Sequence, residues 1–137
     1  MPRTFETSEQ SGIFVVRVGG ERSSHAEDDR AELTKFWAGV PSAMRQADVH
    51  RLLAVISVRG TFRSLDILGF YRRLGEMGFR VDMRLAIVFA VPENERKVLQ
   101  IGVESAARDG WNIRHFVSES EARDWLLASE SGAGDLL

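Results

Sequence analysis

Met83–Arg84–Leu85–Ala86–Ile87–Val88–Phe89–Ala90–Val91 is the longest nearly continuous apolar run in the chain, and Pro92 closes it. β-Branched and aromatic residues crowd the run, and polar residues do not alternate with apolar ones. Such a run reads as a strand covered on both faces, the habit of a central strand in an α/β sheet. A helix-length amphipathic segment lies on either side of it, so the remaining elements are placed outward from this point.

Upstream, Arg51 to Val58 forms a second buried strand around Leu52–Leu53–Ala54–Val55–Ile56. The loop Arg59–Gly60–Thr61–Phe62–Arg63 leads from it to Ser64, an N-cap with Asp66 in the first turn. The helix then runs through Leu65, Leu68, Tyr71, Arg72, Leu74 and Met77, with Gly78 in the position of a C′ glycine. Downstream, Pro92 suits a first helical turn, and Glu93 to Asp109 reads as a helix turning Val98, Ile101, Gly102 and Ala106 to the sheet. Gly110 stops it. Trp111–Asn112–Ile113–Arg114–His115–Phe116–Val117 alternates like a strand with one exposed face. Ser118 and Glu121 make a capping-box pattern ahead of Ala122, Trp125 and Leu126.

Further out, Ile13–Phe14–Val15–Val16–Arg17–Val18 reads as the first strand, ended by Gly19–Gly20. A helix follows from about His25, with Ser24 as N-cap and Ala31, Leu33, Phe36, Trp37, Val40 and Met44 at three- and four-residue steps. Pro41 falls within that pattern and either kinks the helix or divides it in two. The expected fold class is α/β: one domain over residues 12–128, with flexible segments at 1–11 and 129–137. Its sheet is mostly parallel (mixed), four- to five-stranded, with helices on both faces. Ile13–Val18 is the strand expected to be an antiparallel edge, and Phe5 the one anchor of the first segment.

Composition narrows the function classes. A chain of 137 residues with 44% apolar and 28% charged side chains is long and apolar enough for one real core. The formal net charge of -2 gives no reason to expect nucleic acid as a partner. With no cysteine, disulfides and thiolate metal sites are excluded. No apolar run reaches the roughly 20 residues of a membrane span. The polar opening Met1–Gln10 lacks the apolar centre of a secretion signal. A cytoplasmic protein is therefore expected.

Chemistry-bearing residues are sparse. Arg59, Thr61, Arg63 and Ser64 stand at the carboxyl end of a buried strand and at a helix start, where α/β sheets tend to hold ligands. The amides of that start, with Arg59 and Arg63, suit an anionic group, although a capping serine with solvated arginines accounts for the same residues. One glycine and two arginines do not make a phosphate loop. His25, His50 and His115 lack the spacing of a helical metal site, and no nucleophile elbow occurs. Glu76, Glu93, Glu95 and Glu104 read as solvated helix faces. Trp37, Trp111 and Trp125 sit in apolar patterns and read as core or sheet flank; the alternative for Phe36, Trp37 and Val40 is an exposed stripe for a partner. No catalytic residue, metal ligand set or cofactor is expected.

The strand Leu52–Leu53–Ala54–Val55–Ile56–Ser57–Val58–Arg59–Gly60, the helix start Ser64–Leu65–Asp66, and the run Met83–Val88 together resemble the STAS domain family, the SpoIIAA-like fold. The ending Ile113–Arg114–His115–Phe116 through Glu121–Ala122–Arg123–Asp124–Trp125–Leu126 is similar to the same group. The resemblance covers Arg51 to Leu127. It implies a non-catalytic regulatory module that binds a protein partner. In the anti-sigma-factor antagonist branch the serine opening this helix is phosphorylated, which here implies Ser64. That branch carries Asp-Ser-x-Gly, whereas this chain reads Arg63–Ser64–Leu65–Asp66. A carrier of a lipid or other small hydrophobic molecule is the second reading and an enzyme the third. A small hydrophobic or anionic ligand and a homodimer remain open as partners, the latter through Phe70, Tyr71 and Met77 or an edge strand.

Overall fold

In a computed structural model of the chain, residues 4–20, 26–58 and 64–128 are described, without the side chains of 4, 26–33 and 64–67. The elements are β1 (Thr4–Gln10), β2 (Ile13–Gly19), α1 (Ala26–Gln46), β3 (Arg51–Ile56), α2 (Ser64–Arg72), β4 (Arg84–Phe89), α3 (Glu93–Arg108), β5 (Ile113–Phe116) and α4 (Glu119–Leu127). The sheet has five strands in the order β1-β2-β3-β4-β5. β1 and β2 pair antiparallel, and β2 through β5 are parallel. The protein is thus an α/β fold around a mixed, mostly parallel sheet.

The strand quoted first is interior, and all six residues of β4 are buried. The middle position belongs to β3. The antiparallel edge is not Ile13–Val18 but Thr4–Gln10, part of the segment expected to be flexible. Its sequence is polar because it meets water on both faces beyond Phe5: Glu6, Thr7, Ser8, Glu9 and Gln10 are all exposed, and Phe5 alone reaches the core. Ser11 and Gly12 close the hairpin with φ of 54° and 81°, the pair of positive values that a type I′ turn requires. With β1 outside it, Ile13–Gly19 becomes an interior parallel strand.

Side chains alternate between two layers. Phe14, Leu52, Leu85 and Ile113 lie in register across four strands and share one core with Trp37, Val40 and Met44 of α1 and Leu99, Val103 and Ala106 of α3. Val15, Leu53 and Ala86 point the other way and meet Ala122 and Leu126 of α4. Right-handed crossovers between strands laid down in sequence order keep the connecting helices on one face. α1, α2 and α3 accordingly share a face, and α4, which follows the last strand, covers the opposite one.

α1 is one continuous helix that contains Pro41, not two. α3 turns Gly102 and Ala106 inward as expected, with Val98 packed against the core, and adds Leu99 and Val103; of the expected set only Ile101 faces out, at 39% exposed. α2 ends at Arg72, earlier than expected, because the Arg73 and Leu74 amides bond Phe70 and Tyr71, three residues back. The turn still closes at Gly78 (φ 104°). There the Phe79 amide donates to Leu74 O at 3.1 Å and the Gly78 amide to Gly75 O at 3.1 Å, a Schellman closure. α3 ends the same way at Gly110 and Trp111, and α1 at Asp48 and Val49. No described helix is long and apolar enough to cross a membrane.

Candidate functional site

β3 ends at Ile56, at the carboxyl rim of the parallel strands, just ahead of the residues singled out from sequence. Arg59, Thr61 and Arg63 fall outside the described residues, as do His25 and the Ser24 cap. Ser64 is the first residue of α2. The polypeptide therefore passes from the middle strand to a helix start through residues 59–63, as the spacing predicts. The sheet order adds a constraint that the sequence did not reveal. It never reverses from β2 to β5, so adjacent crossovers do not diverge to opposite faces, and the ligand crevice of a switch point does not form between them.

Beneath the rim, on the three-helix face, aromatic rings run from edge to centre. Phe5 stacks on Phe36 at 4.2 Å, Phe36 meets Trp37 at 5.3 Å, Trp37 meets Phe70 at 6.1 Å and Phe70 meets Tyr71 at 5.2 Å. Trp37 and Val40 are buried and Phe36 is half-buried against Phe5, so the exposed stripe weighed for these residues is turned inward. Phe70 and Tyr71, each half-buried, pack on the same core, and Met77 is buried in it. Trp37, Ile56, Phe70, Tyr71, Leu74 and Phe79 line a cavity of about 30 Å³. Tyr71 keeps part of its surface, yet its hydroxyl lies deep enough that burial pushes its pKa well above the ordinary phenol range.

On the other face, arginines anchor α4. Ser118 Oγ accepts from the Glu121 amide at 3.3 Å, which is the backbone half of the expected capping box. Arg17 Nη1 and Nη2 donate to Glu119 Oε2 and Oε1 at 2.9 Å each. This fork, first by its hydrogen bonds and then by its charge, holds the Glu119 carboxyl below its usual pKa. At the far end, Arg51 Nε donates to Leu126 O at 2.7 Å. Arg84 Nη1 donates to Trp125 O at 3.1 Å, Leu126 O at 3.3 Å and Ala128 O at 2.6 Å. α4 carries no basic residue in its last turn, so neighbouring strands supply the cations that a helix C-terminus favours. Sequence reasoning missed this set, since each arginine lies far along the chain from the helix it serves.

Two histidines fall among the described residues. His50 Nε2 lies 3.9 Å from Asp48 at the surface. His115 Nε2 lies 3.1 Å from Glu104 Oε2, so Glu104, read as one of several solvated acids, pairs across from α3 to β5. Among the described residues no group of three or more histidines and acids gathers to hold a metal ion. In comparisons with known proteins, no family model matches the chain and no curated protein matches it.

Proposed function

We propose that the protein is a non-catalytic regulatory module of the STAS-like, SpoIIAA-like kind, which binds a protein partner through the carboxyl rim of its sheet. Arg59, Thr61, Arg63 and Ser64 carry the contact, and Ser64 is the residue open to phosphorylation. The observation that carries this reading is the unreversed strand order, which brings four parallel strand ends to one rim without a switch-point crevice. A rim of loops suits a protein surface better than an enclosed small molecule. A phosphate on Ser64 would stand at the positive end of α2, with Arg59 and Arg63 close in sequence.

The carrier reading needs an apolar pocket of roughly 300 Å³ or more, and the cavity beside Tyr71, at about 30 Å³, does not supply it. Native mass spectrometry of the protein purified from its own host tests the proposal, since it reports partner, ligand and phosphate together. The expected result is a bound protein that is lost from an Arg59→Ala, Arg63→Ala double variant of unchanged thermal midpoint. Retention of that partner by the double variant overturns the rim as the contact. Phosphate carried equally by Ser64→Ala overturns the modification.

A further inference from the structure

We propose that Arg51, Arg84 and Arg114 form a receptor for an oxyanion, a carboxylate or a phosphate, at the end of α4 and away from the carboxyl rim. Arg51 and Arg84 face one another in register on neighbouring parallel strands. Both guanidinium groups reach the same acceptor, Leu126 O, at 2.7 and 3.3 Å. Arg84 is only 8% exposed and also lies 5.9 Å from the Trp125 ring centroid. Arg114, one strand further along the same face, lies 5.9 Å from that same ring. Arg51 and Arg84 thus meet at one helix end, and Arg84 and Arg114, the latter exposed, flank one indole.

Among the described residues the local charge does not balance. A helix C-terminus offers roughly half a negative charge, against the full charges of Arg51 and Arg84 with Arg114 beside them. Among the described residues no carboxylate lies within ion-pair distance of any of the three: the acid partners there are Glu119 to Arg17 and Asp82 to Arg80. Nor is donor capacity exhausted. Nε and Nη2 of Arg84, and Nη1 and Nη2 of Arg51, bond no acceptor among the described residues. Two neighbouring guanidinium forks with free N–H groups match the paired oxygens of a carboxylate or phosphate, and burial strengthens the preference for an anion over water.

Two sources can supply that oxyanion. One is external. The other is the chain itself, since Glu130 and Asp135 follow closely after Ala128, whose carbonyl Arg84 already bonds. Calorimetric titration of the full chain with inorganic phosphate, at constant ionic strength, tests the site and separates the sources. Saturable binding is expected, weakened about tenfold or more in an Arg51→Gln, Arg114→Gln variant. That variant leaves Arg84 in place to hold α4, and an unchanged thermal midpoint checks its fold. A Glu130→Gln, Asp135→Asn variant that binds phosphate several-fold more tightly than the parent assigns the site to the chain's own acids. Unchanged affinity in that variant assigns it to an external anion. Absence of saturable binding in both the parent and the acid-free variant overturns the proposal, as does equal binding by the Arg51→Gln, Arg114→Gln variant.

Discussion

At the scale of single residues, the helix ends show how backbone conformation selects side chains. Gly78 and Asp48 hold equivalent places in two Schellman closures, with φ of 104° and 55°. Glycine occupies that conformation freely, whereas a Cβ costs roughly 1–2 kcal/mol. A Cβ on Gly78 would come 3.5 Å from the Pro41 Cβ, an ordinary contact, so the penalty there is conformational. Gly78→Ala is expected to lose about 1–2 kcal/mol in urea unfolding. Asp48→Gly is expected to raise the midpoint, since the Asp48 side chain is 99% exposed and its nearest partner is His50 at 3.9 Å. A lowered midpoint for Asp48→Gly would sink this account. The closing turn at Gly78 was legible because a glycine stood there, although α2 itself stops at Arg72; the end of α1 was not, because an aspartate gave no comparable stop signal.

At the scale of elements, α4 is the most instructive. A nine-residue helix is marginal alone, and it is fixed by what the sheet offers: two buried apolar residues, the Arg17 fork and the arginines at its end. Its start was readable locally from Ser118 and Glu121. Its anchors were not, since Arg17 and Glu119 are separated by most of the chain. The fork has a pH signature. The folded-state pKa of Glu119 is depressed, first by its hydrogen bonds to Arg17 and then by that charge. Its contribution is therefore present above the unfolded carboxylate pKa and is lost as pH falls through the folded value. Both side chains keep about two-fifths of their surface, 40% and 39%, so solvent screening holds the effect below about 1 kcal/mol. Glu119→Gln is expected to be the less stable chain in urea at neutral pH. The difference should close as the pH falls below the ordinary carboxylate range. A difference that stays constant over that range would assign it to packing rather than charge.

At the scale of the whole molecule, hydrophobic period was a sound guide where strands are covered on both faces and a poor one at the margin. β3 and β4 announced themselves as unbroken apolar runs; β1 did not, because Thr4–Gln10 offers one apolar anchor, Phe5, and otherwise polar groups. That polarity has a use. An unpaired strand edge invites pairing with another chain, and charged or polar residues discourage it. Thr4–Gln10 covers the long side of β2, four of whose first residues are fully buried, and replaces an apolar edge with a polar one. A chain shortened to begin at Ser11 bares the β2 edge and also loses the Phe5–Phe36 stack. It is expected to self-associate with increasing concentration in sedimentation velocity, at concentrations where the full chain keeps a single mass. Phe5→Ala separates the two effects: it retains the edge strand, so it should lower the unfolding midpoint without association. A shortened chain that sediments as a single species of the full chain's oligomeric order would show that β2 is protected by something other than β1. Association of Phe5→Ala to the same degree would assign the effect to the aromatic stack instead of the edge.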